Sequence, residues 1–322
     1  MSGQTTALRV SEIRYEAAGV SSYILRRADG AALPCAAPGS HIDLHLPNGL
    51  IRSYSISNAD SSAGAYRLTV AHKPDGAGGS MYLREAVRVG DTLMAAEPRN
   101  RFPLVENAAL SVFIAGGIGI TPFIPMMAAL DSARRRWRLH YCAKARDSAP
   151  LCADVERFGA AGFGEIIWHL TGEAGGRRMD LGAAMENVLP GTHVYCCGPG
   201  GMLKNFLAAA SAHGLPPDQV HVEYFANEAE ALTEGGFTVV LHRSGKELLV
   251  KPGETILDAV EAAGVEVPQS CLEGLCGSCE TRVIEGVPEH RDMVLSERDR
   301  QAGKTMMICC SGTKSQRLVL DL

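Results

Sequence analysis

Pro268-Gln-Ser-Cys271-Leu-Glu-Gly-Leu-Cys276-Gly-Ser-Cys279 is the stretch that decides how the C-terminal part of this chain folds, and a further cysteine follows at Cys309. The spacing C-x4-C-x2-C with a distant fourth cysteine is the plant-type arrangement for a [2Fe–2S] cluster. Two irons bridged by sulfide need four thiolates, and a tight loop of small residues lets three of them reach the cluster together. Gly274 and Gly277 supply backbone freedom that a β-carbon would deny. Zinc sites favour paired C-x2-C units, and one such pair occurs here, so a zinc knuckle fits less well. A chain with this loop handles electrons one at a time.

Composition points the same way. With 322 residues the chain has room for two or three domains and a full core. A net charge of −5 gives no reason to expect nucleic-acid or acidic-membrane binding. Ten cysteines would suit a disulfide framework in a small secreted protein. Here four are claimed by a cluster and no signal peptide is evident, which points to a reducing cytoplasm. Cys35, Cys142, Cys152 and Cys196 are then expected to fill core positions as small hydrophobes. Ser111 to Leu130 runs without a charge, but Gly116, Gly117, Gly119, Pro122 and Pro125 interrupt it. A buried strand, a glycine turn and a helix start fit it better than a membrane span.

The chain divides into three parts. Residues 1–104 carry short β-branched and apolar runs, such as Ser22-Tyr-Ile-Leu25, His41 to Leu46, Ile51 to Ser57 and Tyr66 to Ala71. Pro38-Gly39 and Asn48-Gly49 punctuate them, which predicts a small antiparallel barrel. Residues 105–226 alternate strands with helices: Ser111 to Ala115, Pro122 to Ala133, Arg138 to Cys142, Ala153 to Phe158, Glu165 to Leu170, His193 to Cys197 and Gly201 to His213. That alternation predicts an α/β domain with a parallel sheet in a nucleotide-binding layout. Residues 227–236 (NEAEALTEGG) are polar and end in two glycines, so they read as a linker. Residues 237–322 form the iron–sulfur part, with a hairpin (Phe237 to His242, Glu247 to Lys251) and a helix (Glu254 to Ala263) beside it.

In the first part, Arg52-Ser-Tyr54-Ser55-Ile56-Ser57 offers an arginine for a phosphate and an aromatic beside a hydroxyl for a flat heteroaromatic ring. Arg52, Tyr54 and Ile56 share one strand face. His72-Lys73 and Gly76-Ala-Gly78-Gly79-Ser80 follow, and glycines leading to Ser80 at the start of a helix make a backbone anion site for a flavin phosphate. In the second part, Ala115-Gly116-Gly117-Ile118-Gly119-Ile120-Thr121-Pro122 follows a buried strand and opens a helix. Glycine amides there suit a pyrophosphate, although the run is not the full G-x-G-x-x-G fingerprint. Tyr195-Cys196-Cys197-Gly198-Pro199-Gly200 ends another strand at the same sheet edge, where open α/β sheets bind ligands. Cys197 is a candidate to lie near a nicotinamide, and a buried cysteine before a tight turn is the bland alternative.

Taken in order, Arg-Ser-Tyr-Ser, Gly-Gly-Ser, Gly-Gly-Ile-Gly-Ile-Thr-Pro, Cys-Cys-Gly-Pro and the C-terminal cysteine set resemble the phthalate dioxygenase reductase and vanillate demethylase reductase family over essentially the whole chain. The resemblance extends to His290-Arg-Asp-Met-Val-Leu295 and to Leu318-Val-Leu-Asp-Leu322. It implies a multidomain fold: a ferredoxin-reductase-like antiparallel β-barrel for the flavin, an α/β NAD domain, and an α+β β-grasp ferredoxin domain. It implies FMN contacts from Arg52, Tyr54, Ser55, His72, Lys73, Gly79 and Ser80. It implies NADH contacts from Gly116, Gly117, Gly119, Thr121, Cys197, Gly198 and Pro199, with Phe225 against the flavin face. Cluster ligands are Cys271, Cys276, Cys279 and Cys309. The family usually continues its fourth cysteine with Val-Ser-Arg, whereas Cys309 is followed by Cys310-Ser311-Gly312, and a ligand swap to Cys310 stays open.

The implied activity is NADH-dependent oxidoreduction: hydride from NADH to FMN, then single electrons through the cluster to a partner, a separate Rieske-type terminal oxygenase. Tyr54 and Ser55 would hold the flavin, while Cys197 and Thr121 orient the nicotinamide. The redox chemistry belongs to the cofactors and the protein's part is placement. The chain carries no Rieske motif of its own. Alternatives are a reductase for a cytochrome P450 or a diiron hydroxylase, or a redox-sensing iron–sulfur flavoprotein. Lys144 and Arg146 after the second nucleotide-domain strand would suit a 2′-phosphate, and Asp147 argues the other way.

Overall fold

The computed structural model describes residues 5–322 apart from 59–63, 77, 161, 174, 175, 177, 186, 187 and 226–235. The described residues up to 225 gather into one compact unit and those from 236 onward into another. The expected linker, 227–236, therefore lies outside the described residues except for Gly236.

The first unit begins with antiparallel strands β1 (Thr6–Ala17), β2 (Val20–Arg27), β3 (Ser40–His45), β4 (Ile51–Ser55) and β5 (Tyr66–Ala71). Helix α1 (Gly79–Ala86) and strands β6 (Thr92–Ala95) and β7 (Arg99–Asn100) complete it. The strands pair in the order β4-β3-β6-β1-β2-β5, with β7 on β3. An antiparallel bridge between Ile56 and Leu68 joins the two ends, so the sheet closes on itself and leaves few edges to aggregate. Alternating apolar residues from each strand (Leu8, Val10, Tyr23, Leu25, Ile42, Leu44, Leu68 and Val70) fill the interior. Gly49, at φ 85°, provides the positive φ that the Asn48-Gly49 hairpin turn requires.

The same unit continues with β8 (Leu110–Gly116), α2 (Phe123–Ser132), β9 (Trp137–Ala143), α3 (Cys152–Gly159), β10 (Gly164–Leu170), α4 (Leu181–Met185), β11 (Thr192–Cys197), α5 (Gly200–Ala212) and β12 (Val220–Glu223). All pairings are parallel, in the order β10-β9-β8-β11-β12. Strand order reverses between β8 and β11, and that reversal opens a crevice at the strand C-termini. One apolar layer packs under α2 and α3 (Phe113, Phe123, Leu139, Tyr141, Val155) and another under α5 (Val112, Ile114, Val194, Leu203, Phe206). A closed pair of charges, Arg67 Nη1 to Asp154 Oδ2 at 2.6 Å, ties β5 of the barrel to α3.

In the second unit, β13 (Phe237–Leu241), β14 (Lys246–Val250), β15 (Glu280–Glu285), β17 (Thr305–Met307) and β19 (Arg317–Leu320) form a mixed sheet. Its order is β14-β13-β19-β15-β17, and β13 runs parallel to β19. Helix α6 (Ile256–Ala262) buries Ile256, Leu257, Ala259 and Val260 against it, and a capping box of Thr255 and Asp258 starts that helix. A short pair, β16 (Pro288–Glu289) with β18 (Gly312–Thr313), and α7 (Glu297–Ala302) close the far end.

Two expectations need correction. Cys196 is buried, but Cys35 is exposed and Cys142 and Cys152 are only half-buried, because they lie on a loop, at a strand end and at a helix start rather than in a core layer. The glycine run after β8 does not open the helix directly. It forms a 3-10 turn, Gly117–Ile120, and Pro122 occupies the N-cap of α2 instead of its first turn. No described helix is long and apolar enough to cross a membrane.

Candidate cofactor sites and electron path

The barrel brings its flavin candidates together at the start of α1. Gly78 adopts the left-handed conformation (φ 81°) at the N-cap, and a β-carbon on Gly79 would run into the stem of Arg52. The absence of that carbon is what lets the arginine lie across the helix N-terminus. Ser80 Oγ accepts the Lys73 amide at 3.1 Å, which fixes the His72-Lys73 corner beside the same turn. His72 is anchored in turn by the Tyr23 hydroxyl at 3.4 Å. A guanidinium, a serine and helical N–H groups converging on a cradle that a β-carbon would fill fit a phosphate monoester. Tyr54 packs half-buried on the barrel core, one residue from Ser55.

At the crevice of the parallel sheet the two glycine-bearing turns interlock. A β-carbon on Gly119 would collide with the Cys197 carbonyl, and one on Gly116 would strike Pro199 and Met202. Gly119 is required by close backbone approach, as in dinucleotide-binding turns, and Gly116 by the Pro199 and Met202 side chains packed on it. Gly117 differs: it sits at φ 54° with open space where its β-carbon would be. Thr121 is buried, and its hydroxyl donates to the Ile118 carbonyl at 3.1 Å. That bond fastens the 3-10 turn.

Glu223, at the C-terminus of β12, is the residue the sequence reading passed over. Its Oε2 accepts from Ser55 Oγ at 3.4 Å and from Cys197 Sγ at 3.9 Å, linking barrel strand β4 to sheet strands β11 and β12. Desolvation pushes its pKa up to about 8, with the Ser55 and Cys197 hydrogen bonds opposing. Burial likewise drives the Cys197 thiol far up, so that it stays neutral. The available signal was a lone acid ending the otherwise uncharged strand Val220-His-Val-Glu223 at the ligand edge of the sheet. Phe225, two residues on, packs against the core layer that includes Cys197.

A raised carboxyl pKa has a definite consequence. The folded state keeps the Glu223 proton while the unfolded chain loses it near the ordinary carboxylate value. Its contribution to stability is therefore full below about 4.5, declines as pH rises, and is gone above about 8. Glu223→Gln should be more stable than the parent at pH 9, on the order of 2 kcal/mol after allowance for partial exposure, with the difference closing toward pH 5. Denaturant melts across pH 5–9 read this directly, and a pH-independent difference would exclude the assignment.

In the second unit the four cysteines lie in two hydrogen-bonded pairs, Cys271 with Cys276 and Cys279 with Cys309. Amides aim at the sulfurs: Glu273 and Leu275 at Cys271 (3.4 and 3.3 Å), Cys271 and Ser278 at Cys276 (both 3.5 Å), and Gly274 at Cys309. Gly274 (φ 69°), Gly277 (φ 73°) and Leu272 (φ 60°) turn the loop so that these donors point inward. The sequence reading anticipated both glycines and missed the leucine. Among the described residues no three His, Cys, Asp or Glu side chains converge on a single metal ion. Two thiol pairs ringed by N–H donors fit a two-iron cluster with anionic sulfurs instead. His290-Arg-Asp-Met-Val-Leu295 braces the loop. Fully buried Asp292 accepts the Val294 and Leu295 amides (3.0 and 2.8 Å), and Met293 N donates to the Gly274 carbonyl at 2.9 Å.

Comparison with known proteins agrees with this geometry. Residues 239–313 match the 2Fe-2S iron-sulfur cluster binding domain. The chain is 45% identical to phenoxybenzoate dioxygenase subunit beta of Ectopseudomonas oleovorans, over 98% of this chain and 97% of that one. It belongs to the oxygenase-reductase family. Vanillate O-demethylase oxidoreductase of a Pseudomonas species is 38% identical over 97% of this chain and 98% of its own. A solved phthalate dioxygenase reductase, described as modular for electron transfer from pyridine nucleotides to [2Fe–2S], superposes with a TM-score of 0.74 at 31% identity, covering 99% of this chain and 98% of that one. An intact type IV self-sufficient cytochrome P450 monooxygenase superposes with a TM-score of 0.87 at 35% identity over 99% of this chain, which spans 41% of that one.

Proposed function

We propose that this chain is the NADH-dependent reductase component of a Rieske-type oxygenase or demethylase system, with FMN and a [2Fe–2S] cluster as its resident groups. The observation that carries the reading is the coexistence, in one chain, of a nucleotide crevice at a parallel-sheet reversal and a four-thiol ferredoxin loop. In this reading residues 1–104 hold the flavin, 105–226 the nucleotide, and 237–322 the cluster, joined through 227–236. Arg52, Lys73, Gly79 and Ser80 bind the flavin phosphate, with His72 steadying that corner, and Tyr54 and Ser55 flank the ring. Gly117 and the Cys197-Gly198-Pro199 turn receive the nicotinamide nucleotide, Gly116, Gly119 and Thr121 shape that loop, and Phe225 covers the ring face. Cys271, Cys276, Cys279 and Cys309 ligate the irons. When bound, the flavin converts a two-electron donor into a source of single electrons, and the cluster passes them on.

The residues of this chain act by placement. Glu223 holds a proton at Oε2 or Oε1 and keeps Ser55 and Cys197 in register across the crevice. Anaerobic titration of the purified protein with NADH tests the reading. Loss of flavin absorbance together with a rhombic low-temperature EPR signal supports it; a bleached flavin beside an oxidised, EPR-silent cluster moves the redox-sensor reading ahead.

A second acceptor is favoured by one observation, the superposition on 41% of a self-sufficient cytochrome P450 monooxygenase with a TM-score of 0.87. Mixing the NADH-reduced chain with a purified Rieske oxygenase or with a ferric cytochrome P450 separates the two. Faster reduction of the Rieske centre is expected, and faster reduction of the haem would reassign the partner.

A further inference from the structure

Arg67, on β5, grips two segments at once. Its Nε donates to the Ser57 carbonyl at 3.2 Å, and its Nη2 donates to the same oxygen. Ser57 lies just beyond β4, the strand that carries Tyr54 and Ser55, and its amide and hydroxyl both return to the Arg67 carbonyl (2.8 and 3.0 Å). The third arm of the guanidinium, Nη1, donates at 2.6 Å to Asp154 Oδ2, in the first turn of α3. Arg157 meets the other oxygen of that carboxylate at 2.7 Å. The Arg67 and Asp154 side chains are 12% and 16% exposed, so salt screens this pair far less than a surface one. Its place in the fold matters more than its strength. Helix α3 follows β9, so Asp154 stands at the ligand edge of the parallel sheet; Glu223, which accepts from Ser55, stands at the same edge at the end of β12. In the order β9-β8-β11-β12 the two strands that flank the crevice separate these ties. Parts joined by a modest polar interface move against each other by default. One tie leaves a hinge, and a second tie across the crevice fixes the angle.

We infer that Arg67 and Asp154 are positioning residues for hydride transfer: the pair holds the segment after β4 to α3 and so sets how the barrel's flavin meets the nicotinamide in the crevice. This inference rests on the flavin and nucleotide reading above. In that step the nicotinamide C4–H bond breaks, the hydride carries both electrons of that bond to the flavin N5 where an N–H bond forms, NADH becomes NAD⁺ and the flavin is reduced. Neither side chain touches the reacting atoms. Such a transfer needs a near-attack arrangement, and a displacement of about 1 Å caused by a change far from the chemistry costs up to about a hundredfold in rate. Without the Asp154 carboxylate, Arg67 keeps its hold on Ser57, and the residues of the barrel site and of the glycine turns are unchanged. Nucleotide binding then survives while the angle at the crevice loosens.

The test uses the full chain with its flavin, as parent, Asp154→Ala, Asp154→Asn and Asp154→Glu. Anaerobic stopped-flow mixing with NADH gives the limiting rate of flavin bleaching and, from its concentration dependence, the Kd for NADH. The broad long-wavelength absorption of a nicotinamide stacked on a flavin reports their approach. In Asp154→Ala the limiting rate should fall about tenfold and the long-wavelength band should weaken, while Kd stays within about twofold of the parent. Asp154→Glu, whose carboxylate still reaches the guanidinium, should return to within about threefold of the parent rate. Reduction by dithionite, which needs no nicotinamide, should be equal in all four forms. A pair that only stabilises the fold would lower the melting temperature of Asp154→Ala and leave its limiting rate and long-wavelength band at parent values, and that result overturns the inference. A glutamate variant as slow as the alanine one overturns it too. If Asp154→Ala fails to fold, Asp154→Asn keeps the shape and loses the charge; its limiting rate should fall at least about threefold, and a rate equal to the parent's overturns the inference. A parent that holds no flavin, or whose flavin NADH does not bleach, would instead refute the reading on which it rests.

Discussion

Cys276→Ala should yield a protein that still oxidises NADH with ferricyanide, an acceptor that can take electrons directly from a flavin, yet reduces cytochrome c or an oxygenase at least about a hundredfold more slowly. Cys276 is the sulfur with the most hydrogen bonds: the Cys271 thiol and the Cys271 and Ser278 amides point toward it, its own thiol reaches the Ser278 hydroxyl at 3.3 Å, and the Cys271 partner leads in holding its pKa below the ordinary thiol value against the opposing desolvation. A site that lowers a thiol pKa favours the thiolate, which is the form that binds iron. Alanine leaves three sulfurs, and the Cys271 and Ser278 amides lose their acceptor. Because metal-ligand binding energy is also folding energy, the ferredoxin unit should unfold at lower denaturant than the unit ending at Phe225, and the two transitions should separate. Visible absorption, the two acceptor assays and a urea melt read all three consequences. A Cys276→Ala protein with an intact cluster spectrum would remove Cys276 from the ligand set. The substitution Cys35→Ser, at an exposed loop position, is the matched control for adding and removing sulfur.

How much of this was legible from residues alone follows from the range over which each feature is encoded. The strands β2 to β5 and β8 to β11 are written locally, as β-branched and apolar runs bounded by turn residues, and their positions agree with the sequence pattern within a residue or two. The cluster loop was legible because its chemistry forces a fixed spacing. Closure of the barrel was not, since the Ile56–Leu68 bridge and the β4-β3-β6-β1-β2-β5 order depend on pairings between distant segments. Glycines could be located but not sorted. Gly116, Gly117 and Gly119 look alike in the sequence, yet two meet neighbouring backbone or side chains and one faces open space. Leu272 was invisible for the opposite reason. Nothing about leucine announces a left-handed conformation, and here the need to turn amides toward Cys271 imposes it. Glu223 belongs to a third kind: its partners Ser55 and Cys197 come from two other strands, and only the folded unit shows that one carboxyl serves both.

That sorting of glycines leads to the sharpest contrast in the nucleotide half. Gly119→Val should abolish NADH-dependent reduction to below about one per cent of the parent and destabilise the unit by about 3 kcal/mol or more. The atoms a β-carbon would meet are the Cys197 carbonyl carbon and oxygen and the Gly198 nitrogen, all backbone, so no side chain can rotate away. Relief requires the 3-10 turn to lift off the end of β11, and the crevice between β8 and β11 is lined by those two segments. Gly117→Ala presents the reverse case. Its β-carbon meets nothing, so the only intrinsic cost is the left-handed conformation, about 1 kcal/mol. If the Gly117 backbone is where the nucleotide approaches, the alanine methyl occupies that space. KM for NADH should then rise about tenfold with little change in kcat, the signature of lost ground-state binding. Thermal melts and steady-state kinetics with ferricyanide distinguish the two. Gly119→Val fails by structure, with a large loss in both readouts; Gly117→Ala fails by occupancy, in KM, with a small shift in the melt. Equal and small effects from both would mean that the interlocked turns are not the nucleotide site, because the barrel motif around Arg52 and Gly79 is built from different strands and is untouched by either change.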